Sequence, residues 1–141
     1  MAETPRSAIG PLTTAVVTAL KADTALTAAL GGAHVYSAPP QDQARRYMLV
    51  WGGREVPWNQ LRSTGRHVQV LVRAWSDYQG SREVDTLIDL VVAGLDNVAL
   101  TLDGWAQAMP LQFVESREPQ WLLIDGVPSM ERVAVFETRV R

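Results

Sequence analysis

The stretch HVQVLVRAWSDYQGSREVDTLIDLVVAGLD, residues 67–96, limits the possible folds more than any other part of the chain. Two hydrophobic periods meet there across one short polar turn. Val68, Val70, Val72 and Ala74 alternate with His67, Gln69, Leu71, Arg73 and Trp75, so the two sets point to opposite faces of a strand. Extended from Arg66 to Ser76, that strand spans about 36 Å at 3.3 Å per residue. It exceeds the usual length of ~5–6 residues, so one end is expected to stand out from the domain. Val84, Leu87, Ile88, Val91, Val92 and Leu95 then recur at steps of three and one, which makes one face of a helix. A helix this short is marginal alone in water, so its apolar face needs the sheet as cover.

The rest of the chain extends this scheme. Pro11 suits the first turn of a helix, followed by Leu12, Val16, Ala19, Leu20, Leu26 and Leu30, with a break at ADT and Thr24 as the cap of a second short helix. Gly31-Gly32 ends it. HVYS and YMLVWGG predict strands, separated by APPQDQARR, where Pro39 and Pro40 forbid regular structure. REVPWNQLRSTG predicts a long loop, with ragged strand extensions at most. Ser81 is the expected N-cap of the helix after it. ALTLDGW predicts a strand and turn, with Asp103-Gly104 the strongest hairpin signal. Met109, Leu111 and Phe113 share one face of a following strand, and Pro110 demotes its start to an edge. SREPQWLLIDGVPS predicts a second loop, and MERVAVFETRVR a closing strand. Long crossovers between parallel strands are mostly missing. The expected fold is α+β: a mainly antiparallel sheet packed against one long amphipathic helix, plus short N-terminal helices. The expected organisation is one domain over residues 1–141, with residues 1–7 flexible.

Composition removes several kinds of chemistry. Without cysteine there are no disulfides, thiolate nucleophiles or thiolate metal sites. A net charge of −2 argues against a free-standing nucleic-acid binder. No basic-then-apolar leader is visible at the start, and no apolar run approaches the ~20 residues of a membrane span. His34 and His67 lack a third ligand at metal-site spacing. Ser76-Asp77 beside His67 makes a triad only on paper, since no nucleophile elbow surrounds it. Asp85 and Asp89 share a helix face and are best explained as its solvated side. Gly31-Gly32 and Gly52-Gly53 match neither a dinucleotide fingerprint nor a phosphate loop. No cofactor and no metal are expected, and no catalytic residue is assigned.

Large side chains in turn and loop settings remain. Trp58, Trp75, Tyr78 and Trp121 are interleaved with Arg54, Arg62, Arg66 and Arg117. Tryptophan, tyrosine and arginine anchor protein interfaces. Arg54, Trp58, Leu61, Arg62, Arg66, Trp75, Tyr78 and Trp121 are therefore the candidate contact residues. Twelve of the thirteen basic residues are arginine, which suits forked contacts at interfaces as well as a GC-rich coding genome.

Taken together, PLTTAVVTALKADTALTAALGG, HVYSAPP, YMLVWGG, GRHVQVLVRAWSDYQGSREVDTLIDLVVAGLD and LTLDGW, with the closing strand, resemble the tail-completion or tail-terminator proteins of long-tailed bacteriophages and gene transfer agents. The likeness spans nearly the whole chain and weakens over residues 116–130. It implies a non-enzymatic structural protein that forms a six-membered ring on the end of the tail tube. The ring stops tube polymerisation and offers the joining surface to the head connector. Implied partners are other copies of the chain, the tail tube protein and the connector or neck protein. DNA would pass through the hole without sequence-specific binding, and no membrane is involved. The implied location is the virion, at the head–tail junction, after synthesis in the host cytoplasm. Another neck or minor tail component, or a small ligand-binding or enzymatic α+β domain using His67 and Asp77, are the rival readings. The loop from Gly53 to Gly65 is expected to order only in the ring, so that Trp58→Ala spares the melting temperature.

Overall fold

The computed structural model describes residues 7–38, 46–59, 64–78, 80–124 and 126–141, with only the backbone at 124 and 127. Two helices come first, α1 (Ile9–Ala22) and α2 (Thr24–Leu30), followed by strands β1 (Val35–Tyr36), β2 (Arg46–Pro57) and β3 (Arg66–Ser76). Helix α3 (Arg82–Leu95) precedes β4 (Gln112–Ser116), β5 (Gln120–Ile124) and β6 (Val127–Val140). The strands form one sheet in the order β1-β2-β3-β6-β4, with β5 also paired to β6. Only β1 and β2 run parallel; the remaining pairs are antiparallel. The fold is α+β, as the patterning predicts.

One face of the sheet carries the main core. Val68, Val70, Val72 and Ala74 of β3 are fully buried, beside Met48 and Val50 of β2 and Ala134 and Phe136 of β6. Val84, Leu87, Ile88, Val91 and Leu95 of α3 and Leu12, Val16 and Leu20 of α1 close over them. Val92, expected in the same face, is only partly buried. The expectation of one long helix needs correction. α1 and α3 have 14 residues each, and α1 covers β2 and β3 as α3 covers β3 and β6. Close seating of α1 depends on Gly52, because a Cβ there would lie 2.0 Å from Cγ2 of Ile9.

Local chemistry sets the boundaries. Asp23, not Thr24, caps α2: its carboxylate accepts from the N–H groups of Ala25 and Leu26 at 3.1 and 3.3 Å. Gly31 ends α2 in the left-handed conformation at φ 76°. Ser81 stands at the start of α3 without a side-chain cap bond. The flexible segment expected over residues 1–7 falls mostly outside the described residues. Ser7 itself is held, donating to Glu55 at 3.0 Å and accepting from the N–H of Ile9 at 3.1 Å.

Three predicted loops and turns come out differently. REVP belongs to β2, whose pairing with β3 resumes past a bulge between Gly52 and Glu55 and runs to Pro57. Proline is tolerated there because it ends the strand. SREPQWLLIDGVPS is not a loop: Gln120–Ile124 pairs with the first residues of β6, register Ile124↔Val127. The hairpin of β5 and β6 closes past Ile124↔Val127, with Gly126 in the left-handed conformation at φ 77°. At Asp103-Gly104 a single bridge, Leu102↔Trp105, closes a turn between segments that form no ladder. Leu102 sinks into the core instead, 5% exposed.

Candidate assembly surface

The candidate contact residues separate into two groups at opposite ends of the sheet. β3 runs ten residue steps from Arg66 to Ser76, about 33 Å. At its first end, Trp58 follows β2 and its N–H donates to the carbonyl of Gly65 at 2.9 Å. The exposed Arg139 places its guanidinium 5.3 Å from the Trp58 ring centroid. Gly65 must be glycine for this turn, since a Cβ would stand 2.2 Å from the Trp58 carbonyl oxygen. Arg66 donates to the same carbonyl of Gly65 at 2.8 Å, lies 3.8 Å from Glu55 and reaches over Trp105 at 5.7 Å. Arg54, in the bulged part of β2, is exposed. Leu61 and Arg62 lie outside the described residues.

At the other end, Trp75 is the exception to the expectation of free aromatics. It is 5% exposed and stacks on Tyr47, ring centroids 4.7 Å apart. Tyr47 sits directly across from it in the β2–β3 register. Together with Leu49 and the flanking Tyr36 they make a second, smaller apolar cluster on the face of the sheet opposite the main core. Burial pushes the Tyr47 phenol above its ordinary pKa, and the nearby Glu131 carboxylate pushes it further. Tyr78 and Trp121 are exposed as expected, at 43% and 59%. The N–H of Tyr78 donates to Ser76 at 3.1 Å, and Ser76 in turn donates to Glu83 at the start of α3. Those contacts tie the end of β3 and Tyr78 to the start of α3.

Sequence reasoning missed two surface residues. Leu123 is 77% exposed, in a strand whose sequence predicts a loop. Trp51 is 37% exposed and lies under the Arg73 guanidinium at 4.3 Å, with Arg73 also 3.3 Å from Glu131. The alternation of YMLVWGG placed Trp51 on the non-core face, which was the available signal.

Trp121 and Leu123 project from a hairpin that outruns its neighbour. β3 pairs with β6 only as far as Ser76↔Met130, while β5 accompanies β6 back to Val127. Trp121 pairs with Met130, so the exposed aromatics of β5 and of the WSDYQGS turn share one end of the molecule. An aliphatic and two aromatics in water, on a rigid sheet end, are suited to docking against another protein.

Catalytic arrangements do not form from the candidate groups. His67 binds Glu137 at 2.9 Å and sits nine strand steps, about 30 Å, from Ser76. The pairing of His67 with Asp77 therefore fails on distance. His34 meets the Tyr36 hydroxyl at 2.9 Å. Asp85 is occupied by Arg132 at 2.5 Å, which argues for an ion pair rather than a cation site with Asp89. Among the described residues no three of His, Cys, Asp and Glu come together, and no helix is long and apolar enough to cross a membrane.

The sequence pattern of the tail completion protein gp17 family matches residues 14–119, three quarters of the chain. The chain belongs to that family. This tail completion protein is therefore a structural protein of the phage tail, and its place is the virion. No curated protein matches it. Among solved structures, a chain in "Virion of native gene transfer agent (GTA) particle" superposes with a TM-score of 0.76 at 24% identity, covering 96% of this chain and 98% of that one. At that identity the likeness speaks for the fold.

Proposed function

We propose that this tail completion protein forms a ring on the end of the tail tube, stops tube polymerisation and presents the joining surface to the head connector. The observation that carries this reading is the separation of the two contact groups along β3. One group, with Arg54, Trp58, Arg66 and Arg139, lies about 33 Å from the other, with Tyr78, Trp121 and Leu123. A terminator must bind the tube on one side and leave another side for the head, which needs two such surfaces on a stiff body. A ring also needs a head-to-tail contact between copies, using different patches on the two partners. Six copies, as the resemblance implies, are part of the proposal. So is a lumen through which DNA passes without being read. Neither contact group needs a catalytic residue, and no enzymatic activity is proposed.

Particles assembled without this protein provide the test. The expected result is tails of uncontrolled length that fail to join heads, with wild-type length restored by the supplied protein. Labelled protein should appear by electron microscopy at the head-proximal end of the tail. Normal tail length in its absence, or label elsewhere, would overturn the reading. A label at the neck above a tail of normal length would favour a neck component instead.

A further inference from the structure

The described sheet has four outer strand edges, and three of them are blocked. β1 is only two residues long, too short to seat a strand. β1 pairs with β2 only at Met48 and Leu49, so β2 beyond them is an edge. It carries a bulge between Gly52 and Glu55, the charges of Arg54 and Glu55, and Pro57 at its end. The Ala8 N–H also donates to the Glu55 carboxylate at 2.7 Å, tying the start of α1 against this strand. β4 is bulged between Phe113 and Glu115, and the N–H of Phe113 is taken by Asp96 at 2.9 Å. Bulges, charges, proline and capping groups are the means by which natural sheets refuse a foreign strand.

β5 has none of these. Gln120, Trp121, Leu122, Leu123 and Ile124 include neither a charge nor a proline. Their register with β6 runs unbroken from Gln120↔Glu131 to Ile124↔Val127. Among the described residues no strand pairs with the outer side of β5. An edge of this kind exposes a row of backbone donors and acceptors whose natural complement is another extended strand.

We infer that the outer edge of β5 accepts an extended, uncharged strand from a different protein chain of the particle. Backbone hydrogen bonds would supply the affinity, and Trp121 and Leu123 would flank the incoming side chains. A charged strand is disfavoured because its charges would lose water beside those two apolar residues. A second copy of this chain fits less well. Its β1, β2 and β4 edges carry the blocks described above, and β5 against β5 would close as a two-fold pair with no open edge left for the rest of the tail. The inference requires membership of the particle and holds wherever along the tail the protein sits.

The experiment places a photoreactive benzoylphenylalanine at position 121 of the full chain and irradiates assembled particles. The expected product is a crosslink to a different structural protein. Leu123→Lys, at an exposed position, adds the kind of charge that guards natural edges and should reduce that crosslink roughly tenfold. Leu122→Pro and Leu123→Pro separate strand pairing from apolar contact. Donors alternate between the two sides of an antiparallel strand, so one of these prolines costs a bond to β6 and the other only the outward donor. The one that leaves the melting temperature unchanged should also abolish the crosslink. A self-crosslink, no crosslink, or a crosslink that survives both the lysine and that proline would overturn the inference. Tail length in the same particles tests the ring separately, because a crosslink to another protein is compatible with either outcome.

Discussion

The indole of Trp75 stacks on the phenol ring of Tyr47, with centroids 4.7 Å apart and planes 27° from parallel. The two residues are direct partners in the β2–β3 register, so the stack joins adjacent strands on the face opposite the main core. Among the described residues the indole N–H of Trp75 has no hydrogen-bond partner. The contact therefore works through ring area, and the donor adds a small cost.

That difference gives a graded prediction. Trp75→Ala should cost about 3–5 kcal/mol, as large aromatic truncations in cores do. Trp75→Phe, which keeps a ring and deletes the unpaired donor, should cost less than about 1.5 kcal/mol. Denaturant unfolding of the two variants decides. Near-zero loss for the alanine variant would mean that the stack is absent in solution.

On the main core face, Ile88→Ala should cost about 2–5 kcal/mol, because Ile88 is 2% exposed between α3 and the sheet. A loss below about 0.5 kcal/mol, the range of ordinary surface changes, would mean that α3 does not cover the sheet.

Trp121→Ala separates stability from assembly. With Trp121 59% exposed, the unfolding free energy should change by no more than about 0.5 kcal/mol. Tail completion should nonetheless fall in a complementation assay. Normal completion by the variant would remove Trp121 from the assembly surface.

Trp58 calls for a different outcome from the one its loop setting suggests. Its side chain is half-buried and its ring is overlaid by Arg139. Trp58→Ala should lower stability by about 1 kcal/mol rather than leave it untouched. Gly65→Ala should cost more, since the new Cβ meets a backbone carbonyl that cannot swing aside. Thermal unfolding of both variants ranks the two effects.

Tyr47 makes a pH-dependent contribution. Its phenol is held neutral above the ordinary value of about 10, by burial first and by Glu131 second. A folded pKa above the unfolded one stabilises the fold fully below the unfolded value, and that stability is lost as pH rises through the folded value. The wild type should therefore lose stability at alkaline pH beyond about 10 more steeply than Tyr47→Phe. Parallel slopes for the two proteins would show that Tyr47 is solvated.

The α+β class, the direction of every core residue of β3 and the core face of α3 apart from Val92 follow from the sequence alone. They rest on periods of two and about 3.6, which need no knowledge of partners. The existence of an aromatic contact set was legible in the same way, from residue type and turn context. Which members of that set are free was decided by register. Tyr47 stands opposite Trp75 only because β2 and β3 pair where they do, and a shift of one residue would have put Trp75 on the other face. Pairing also turned QWLLI from an expected loop into β5, because β6 runs on past its pairing with β4 and offers that edge to it. The β5–β6 hairpin turns at Gly126 and Asp103-Gly104 closes no ladder, although the sequence has an Asp-Gly dipeptide at both places. A turn signal is local, whereas a ladder exists only where two extended segments meet, and long-range packing sets that meeting.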